Sequence, residues 1–180
     1  MAIKITFLGA GSSVFVRNVL GDCIIHPELE DLTFALYDID AQRLEDSYLM
    51  LHAICAHYGK SVKMEKYVGV EELPQALTGA NFLICAIQVG GYDPCTISDF
   101  EIPKKYGLRQ TIADTLGVGG VFRALRTIPV MEMFGKMAEK YCPNAVFLNY
   151  SNPMGMLSGY MERYCNVQFV GLCHSVQVAV

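Results

Sequence analysis

A chain of 180 residues with 52% apolar and 18% charged side chains has ample material for one buried core, and its formal net charge of −4 leaves no basic stripe for nucleic acid. No apolar run approaches the roughly 20 residues needed to span a bilayer. The charged share lies below the usual value of about 25%, which suits a sheet covered on both faces.

The first element is a buried strand over residues 3–8, IKITFL, broken at once by GAGSS. Its short apolar run is not a secretory leader, so the chain is expected to be cytoplasmic. A helical pattern follows through Leu20. Residues 33–37, TFALY, predict a second strand that ends at Asp38, and Asp40 then suits the N-cap of a helix over 41–58. A short third strand is expected over 62–67, and a helix over 71–78 is closed by Gly79. FLICAI, 82–87, predicts a fourth strand. The stretch 88–120 carries no clear element, and a loop of that length is usually functional or hides a helix. A helix over 121–141, a fifth strand over 145–149, a helix whose first turn holds Pro153, and a sixth strand over 168–172 complete the chain. Alternating strands and helices predict an α/β fold, a doubly wound parallel sheet of the Rossmann-like dinucleotide-binding kind, occupying residues 1–180 as one domain.

Gly9-Ala10-Gly11-Ser12 follows a strand and opens a helix. The first glycine permits the tight turn. The second lets the backbone approach a pyrophosphate, which sits on the helix N-terminus. The third glycine of the usual fingerprint is replaced by Val14, which shifts the helix without removing the anion site. Asp38 is placed to accept hydrogen bonds from the adenosine ribose and to repel a 2′-phosphate, so NAD is favoured over NADP. The competing role for these residues is a ligand-free turn and a capping Asp.

Seven cysteines, an odd number with no CxxC, fit a reducing compartment in which most act as small core residues. Cys173 is different because His174 follows it at the end of the sixth strand. A core cysteine and a metal ligand are both open readings of that pair.

The stretches KITFLGAGSSVF, ALYDIDAQRLE, QVGGYDPCTISDFEIPKKYGL, QTIADTLGVGGVFRALRTIP, NYSNPMG and VGLCHSVQ resemble the family 4 glycoside hydrolases, closest to their α-galactosidase branch. The resemblance runs from residue 3 to 177. That family is an exception to the two-carboxylate scheme of glycoside hydrolysis. The resemblance implies NAD and a divalent metal, usually Mn²⁺, as cofactors and a galactoside as substrate. It implies oxidation of the sugar at C3, proton removal at C2, loss of the aglycone, water addition and return of the hydride. Carried over by position, Cys173 is the thiolate metal ligand and His174 lines the same site. Thiolate with Mn²⁺ pairs a soft donor with a hard ion, so the metal's identity comes from the resemblance alone. Asn152 and Asp114 fall at substrate-binding positions, with capping of a helix and of a loop as their competing roles. Asn149, Ile87 and Gln88 fall beside the cofactor. Members that act on 6-phosphosugars carry an arginine after the GG of the fourth-strand loop. Here that loop reads GGYDPCTISDFE, so a neutral sugar facing Tyr92 and Asp93 is expected.

Family members run to well over twice this length, and their catalytic base and second metal-binding His lie downstream of the matched region. The chain is therefore expected to be an N-terminal portion that lacks the completing C-terminal domain. It should bind NAD weakly and not turn over substrate alone. The resemblance further implies a homo-oligomer with neither nucleic acid nor membrane as partner. A lactate- or malate-type 2-hydroxy-acid dehydrogenase and a non-catalytic NAD-binding fragment are the rival functions. The former shares the fold and a similar Asn-Pro, but needs no Cys after the sixth strand and no metal.

Overall fold

Six parallel strands form one sheet in the computed structural model, which describes residues 2–110 and 116–173. They are β1 (Ile3–Leu8), β2 (Leu32–Asp38), β3 (Lys63–Val68), β4 (Phe82–Cys85), β5 (Val146–Asn149) and β6 (Gln168–Gly171), arranged β3-β2-β1-β4-β5-β6. The winding direction reverses between β1 and β4. In such sheets the crevice beyond the carboxyl ends at that reversal is where ligands bind.

The period-two alternation of a strand divides the core into two layers. Phe7 joins Ile5, Phe34, Leu36 and Ile84 on one face, under Leu20, Leu44 and Leu51. Its neighbour Leu8 joins Leu83, Cys85 and Phe147 on the other, under Leu77, Phe134, Leu157 and Met161. Each side chain of this size contributes about 1.5–3 kcal/mol when fully buried. Both faces are thus covered, which is why strands such as FLIC run almost unbroken in apolar residues.

The first crossover begins as α1 (Ser13–Phe15), passes through a π-helical turn at Val16–Leu20 and continues as α2 (Gly21–Ile25), so the helical path outruns the expected end at Leu20. Helix α3 (Ala41–Tyr58) has the expected bounds. Asp40 Oδ1 caps it by accepting from Gln42 N at 3.0 Å and Arg43 N at 3.1 Å. Gly59 ends it in the left-handed region at φ +61°. Helices α4 (Leu73–Leu77), α5 (Ile97–Lys105), α6 (Gly117–Tyr141) and α7 (Met154–Tyr164) follow.

Other boundaries also differ from the sequence pattern. Strand β4 stops at Cys85, because the next-but-one amide, Ile87 N, leaves the ladder to donate to Ser151 Oγ at 2.9 Å. The patternless stretch 88–120 contains α5 and the first turn of α6. Pro153 stands just before α7 as its N-cap, not inside the first turn. Among the described residues no helix is long and apolar enough to cross a membrane.

Candidate dinucleotide and sugar site

The glycine turn is held from three sides. Gly9 N and Ala10 N both donate to Tyr37 O at 2.9 Å, and Ser12 N donates to Gly9 O at 3.0 Å. Gly9 has φ +91°, and a Cβ there would lie 2.5 Å from Ala86 O and 2.8 Å from Ile87 Cγ2. Only glycine lets β1 turn this close to the end of β4. Asp38 stands opposite. Its Oδ2 accepts from Gly11 N at 2.6 Å and its Oδ1 accepts from Asp40 N at 3.0 Å. A Cβ on Gly11 would fall 2.8 Å from that Oδ2. The carboxylate and the turn are thus drawn together with no side chain between them. Ser12 precedes α1 and caps it with no side-chain bond, while Val14, in place of the third glycine, points outward at 60% exposure. A bare cradle of backbone at a helix start, with an acid at the next strand end, fits a dinucleotide's pyrophosphate and ribose.

The ends of β4 and β5 are stitched together beside this cradle. Ser151 is buried, and its hydroxyl accepts from Ile87 N and lies 3.6 Å from Cys85 Sγ. Asn149, expected at the cofactor, is fully buried. Its Nδ2 donates to Ser151 O and its Oδ1 accepts from Ser151 N, both at 3.0 Å. The amide therefore fixes the turn after β5, and that turn delivers the half-buried Asn152 to the same edge. No side chain caps α7, so capping is not what Asn152 does.

Strand β6 extends the edge further. Leu172 N donates to Asn149 O at 2.8 Å, and Cys173 follows, exposed. Gly171 has no room for a side chain, since a Cβ there would run into Ser158 Oγ and lie 2.5 Å from Met154 Sδ of α7. Four of the other cysteines lie in the core. Burial pushes the Cys85 thiol up to about 12 and the Cys142 thiol up to about 11, and also raises Cys55 and Cys165. These are core residues that stay protonated. Among the described residues no three His, Cys, Asp or Glu gather as a metal site. His174 and Asp114 lie outside the described residues.

Beyond β4 the chain makes an irregular turn over Gly91–Thr96, kinked at the extended Asp93, and enters α5, with Tyr92 at 71% exposure and Asp93 also exposed. Gln88 Nε2 donates to Thr96 Oγ1 at 2.9 Å across this turn. Two groups of importance to this region escaped the sequence pattern. Ser151 was hidden because one hydroxyl among NYSNP carries no periodic signal. The pair Asp99–Arg126 was hidden because its members are 27 residues apart.

The fold and cradle together define a doubly wound dinucleotide-binding domain. The chain belongs to the family 4 glycosyl hydrolases, whose sequence pattern matches residues 4–180. Over 175 residues it is 57% identical to the alpha-galactosidase of Bacillus subtilis strain 168, a match that covers 97% of this chain and 40% of that enzyme. The chain thus spans about two fifths of the length of that relative. It superposes with TM-score 0.81 and 26% identity on the 6-phospho-beta glucosidase of Thermotoga maritima solved with manganese, NAD⁺ and glucose-6-phosphate, covering 96% of this chain and 40% of that one. The malate dehydrogenase of Picrophilus torridus shares the fold at TM-score 0.69 and 15% identity, over 98% of this chain and 47% of its own.

Proposed function

We propose that this chain is the NAD-binding part of an NAD- and divalent-metal-dependent glycosidase acting on α-galactosides. The observation that carries the reading is the gathering, at one sheet edge, of the Gly9–Gly11 cradle with Asp38, the Asn152 turn, and an exposed Cys173 at the end of β6. High identity to an alpha-galactosidase supports the sugar, and the manganese and NAD⁺ in the Thermotoga neighbour support the cofactors. When bound, the nicotinamide supplies a hydride acceptor and the cation a Lewis acid.

The chain's own residues have separable tasks. Gly9 and Gly11 admit the pyrophosphate, and Asp38 receives ribose hydroxyls while it braces the turn. Ile87 borders the nicotinamide end. Asn149 and Ser151 set the backbone on which Asn152 meets the sugar, where an amide can both donate and accept. Cys173 would hold the metal through its sulfur. The catalytic base and the remaining metal ligands belong to segments downstream of the matched region. The absence of Arg or Lys between Gly91 and Ile102 favours a neutral sugar over a phosphorylated one. The same reading makes the working enzyme a cytoplasmic homo-oligomer.

A nitrophenyl-glycoside panel on the full-length gene product tests this. With NAD⁺, Mn²⁺ and a reductant, the α-galactoside is the substrate hydrolysed, and EDTA or removal of NAD⁺ stops the reaction. The 180-residue chain alone shows no turnover. Activity that persists in EDTA, or that appears only with 2-hydroxy acids, contradicts the proposal and points to the dehydrogenase reading.

A further inference from the structure

The loop that leaves β4 is closed on itself by short-range bonds. Gln88 bonds to Thr96, Thr96 Oγ1 donates to Gly91 O at 3.4 Å, and Ser98 Oγ donates to Pro94 O at 2.8 Å. Ser98 belongs to α5, so these bonds tie the turn only to the helix that follows it. The bond from α5 to a distant element is an ion pair. Arg126 of α6 sends Nη1 to Asp99 Oδ1 at 2.9 Å and Nη2 to Asp99 Oδ2 at 2.5 Å. Asp99, in the first turn of α5, is 1% exposed. Arg126 also lies beside the start of the turn. A Cβ on Gly90, which has φ +87°, would fall 3.4 Å from Arg126 Nε and 2.5 Å from Cys95 Sγ. That Nε is buried and has no acceptor among the described residues.

We infer that Arg126 is a positioning residue: its fork on Asp99 fixes where the Gly91–Thr96 turn, with Tyr92 and Asp93, stands over the sugar end of the crevice. The step from loop position to sugar binding rests on the glycosidase reading. A bidentate guanidinium–carboxylate pair holds orientation as well as distance. A lysine keeps the charge and loses the fork. A buried carboxylate deprived of its partner is an uncompensated charge, so removing one member alone disturbs α5, whereas replacing both by apolar residues of similar size spares the fold. The Gly9–Asp38 cradle lies on other elements and makes no bond to this pair, so sugar and cofactor binding should separate.

The test uses the full-length protein with Arg126→Met, Arg126→Lys, and the double variant Asp99→Leu/Arg126→Met as the version that removes both charges. Hydrogen exchange and kinetics are read on each. The expected results are amides 90–98 exchanging about tenfold faster with those of β1 and β2 unchanged, and a KM for the α-galactoside about tenfold higher, equivalent to the loss of a single charge-assisted hydrogen bond. Meanwhile kcat and the affinity for NAD⁺ stay close to wild type. Arg126→Lys recovers part of the KM. Unchanged exchange at 90–98 overturns the anchoring, whatever the substrate proves to be. Faster exchange with an unchanged KM, or a KM that rises in step with the NAD⁺ dissociation constant, overturns the positioning role. A wild type that hydrolyses no glycoside refutes the functional reading instead, and the exchange result still decides the anchor.

Discussion

Replacing Gly9 by alanine abolishes NAD⁺ binding and costs about 3 kcal/mol or more of stability, the range of a severe packing clash added to backbone strain. Two effects combine. A left-handed backbone costs an L-residue roughly 1–2 kcal/mol. The new methyl would also sit 2.5 Å from Ala86 O, an atom of the main chain at the end of a central strand. That carbonyl cannot swing aside cheaply, because it shares a peptide plane with Ile87 N, which is bonded to Ser151 Oγ at 2.9 Å. Either β4 moves or the turn opens, and both disturb the cradle proposed for the pyrophosphate. Gly59→Ala is the control, since it has a similar positive φ of +61° and nothing within 4 Å of the added carbon. It loses only the strain. Calorimetric titration with NAD⁺ and thermal unfolding of both variants measure the difference. Equal losses at the two glycines would mean that the Gly9 position is a simple turn and not a cradle.

Cys173→Ser in the full-length protein lowers metal-dependent hydrolysis by two to three orders of magnitude, because Lewis-acid stabilisation is worth several kcal/mol and about 1.4 kcal/mol is a factor of ten. The affinity for NAD⁺ is unchanged, since the cradle lies on β1, β2 and β4. The position of Cys173 follows from its neighbours. Gly171 allows β6 to lie against Met154 and Ser158, and Leu172 N bonds to Asn149 O, so the sulfur emerges at the carboxyl edge and not inside the layers. Steady-state kinetics across a Mn²⁺ titration check the expectation. Wild-type activity in the serine variant would return Cys173 to the role of an ordinary strand-end residue.

How much of this was legible beforehand depended on the range of the signal. The bounds of α3 and its Asp40 cap could be read because helix periodicity and a capping side chain act within a few residues. The doubly wound parallel sheet followed from alternating strands and helices with right-handed crossovers. Helix α5 escaped because Pro103 and a weakly amphipathic sequence, ISDFEIPKK, blur its period. The start of α6 at Gly117 escaped because GVGG is poor in helix formers, and Gly119 and Gly120 are buried there. At the site, Gly9, Gly11 and Asp38 form a local pattern. The Asn149–Ser151 clamp, the bond from Ile87 to Ser151 and the Asp99–Arg126 fork are contacts between distant segments, fixed only once the sheet is assembled.

The most direct test is hydrolysis of an α-galactoside by the full-length protein in D₂O, with the released galactose examined by mass spectrometry and NMR. Cleavage through proton removal at C2 places one non-exchangeable deuterium on that carbon, and only when NAD⁺ and the metal are present. Galactose released at full rate with its C2 hydrogen untouched, or released without NAD⁺, would contradict the assignment.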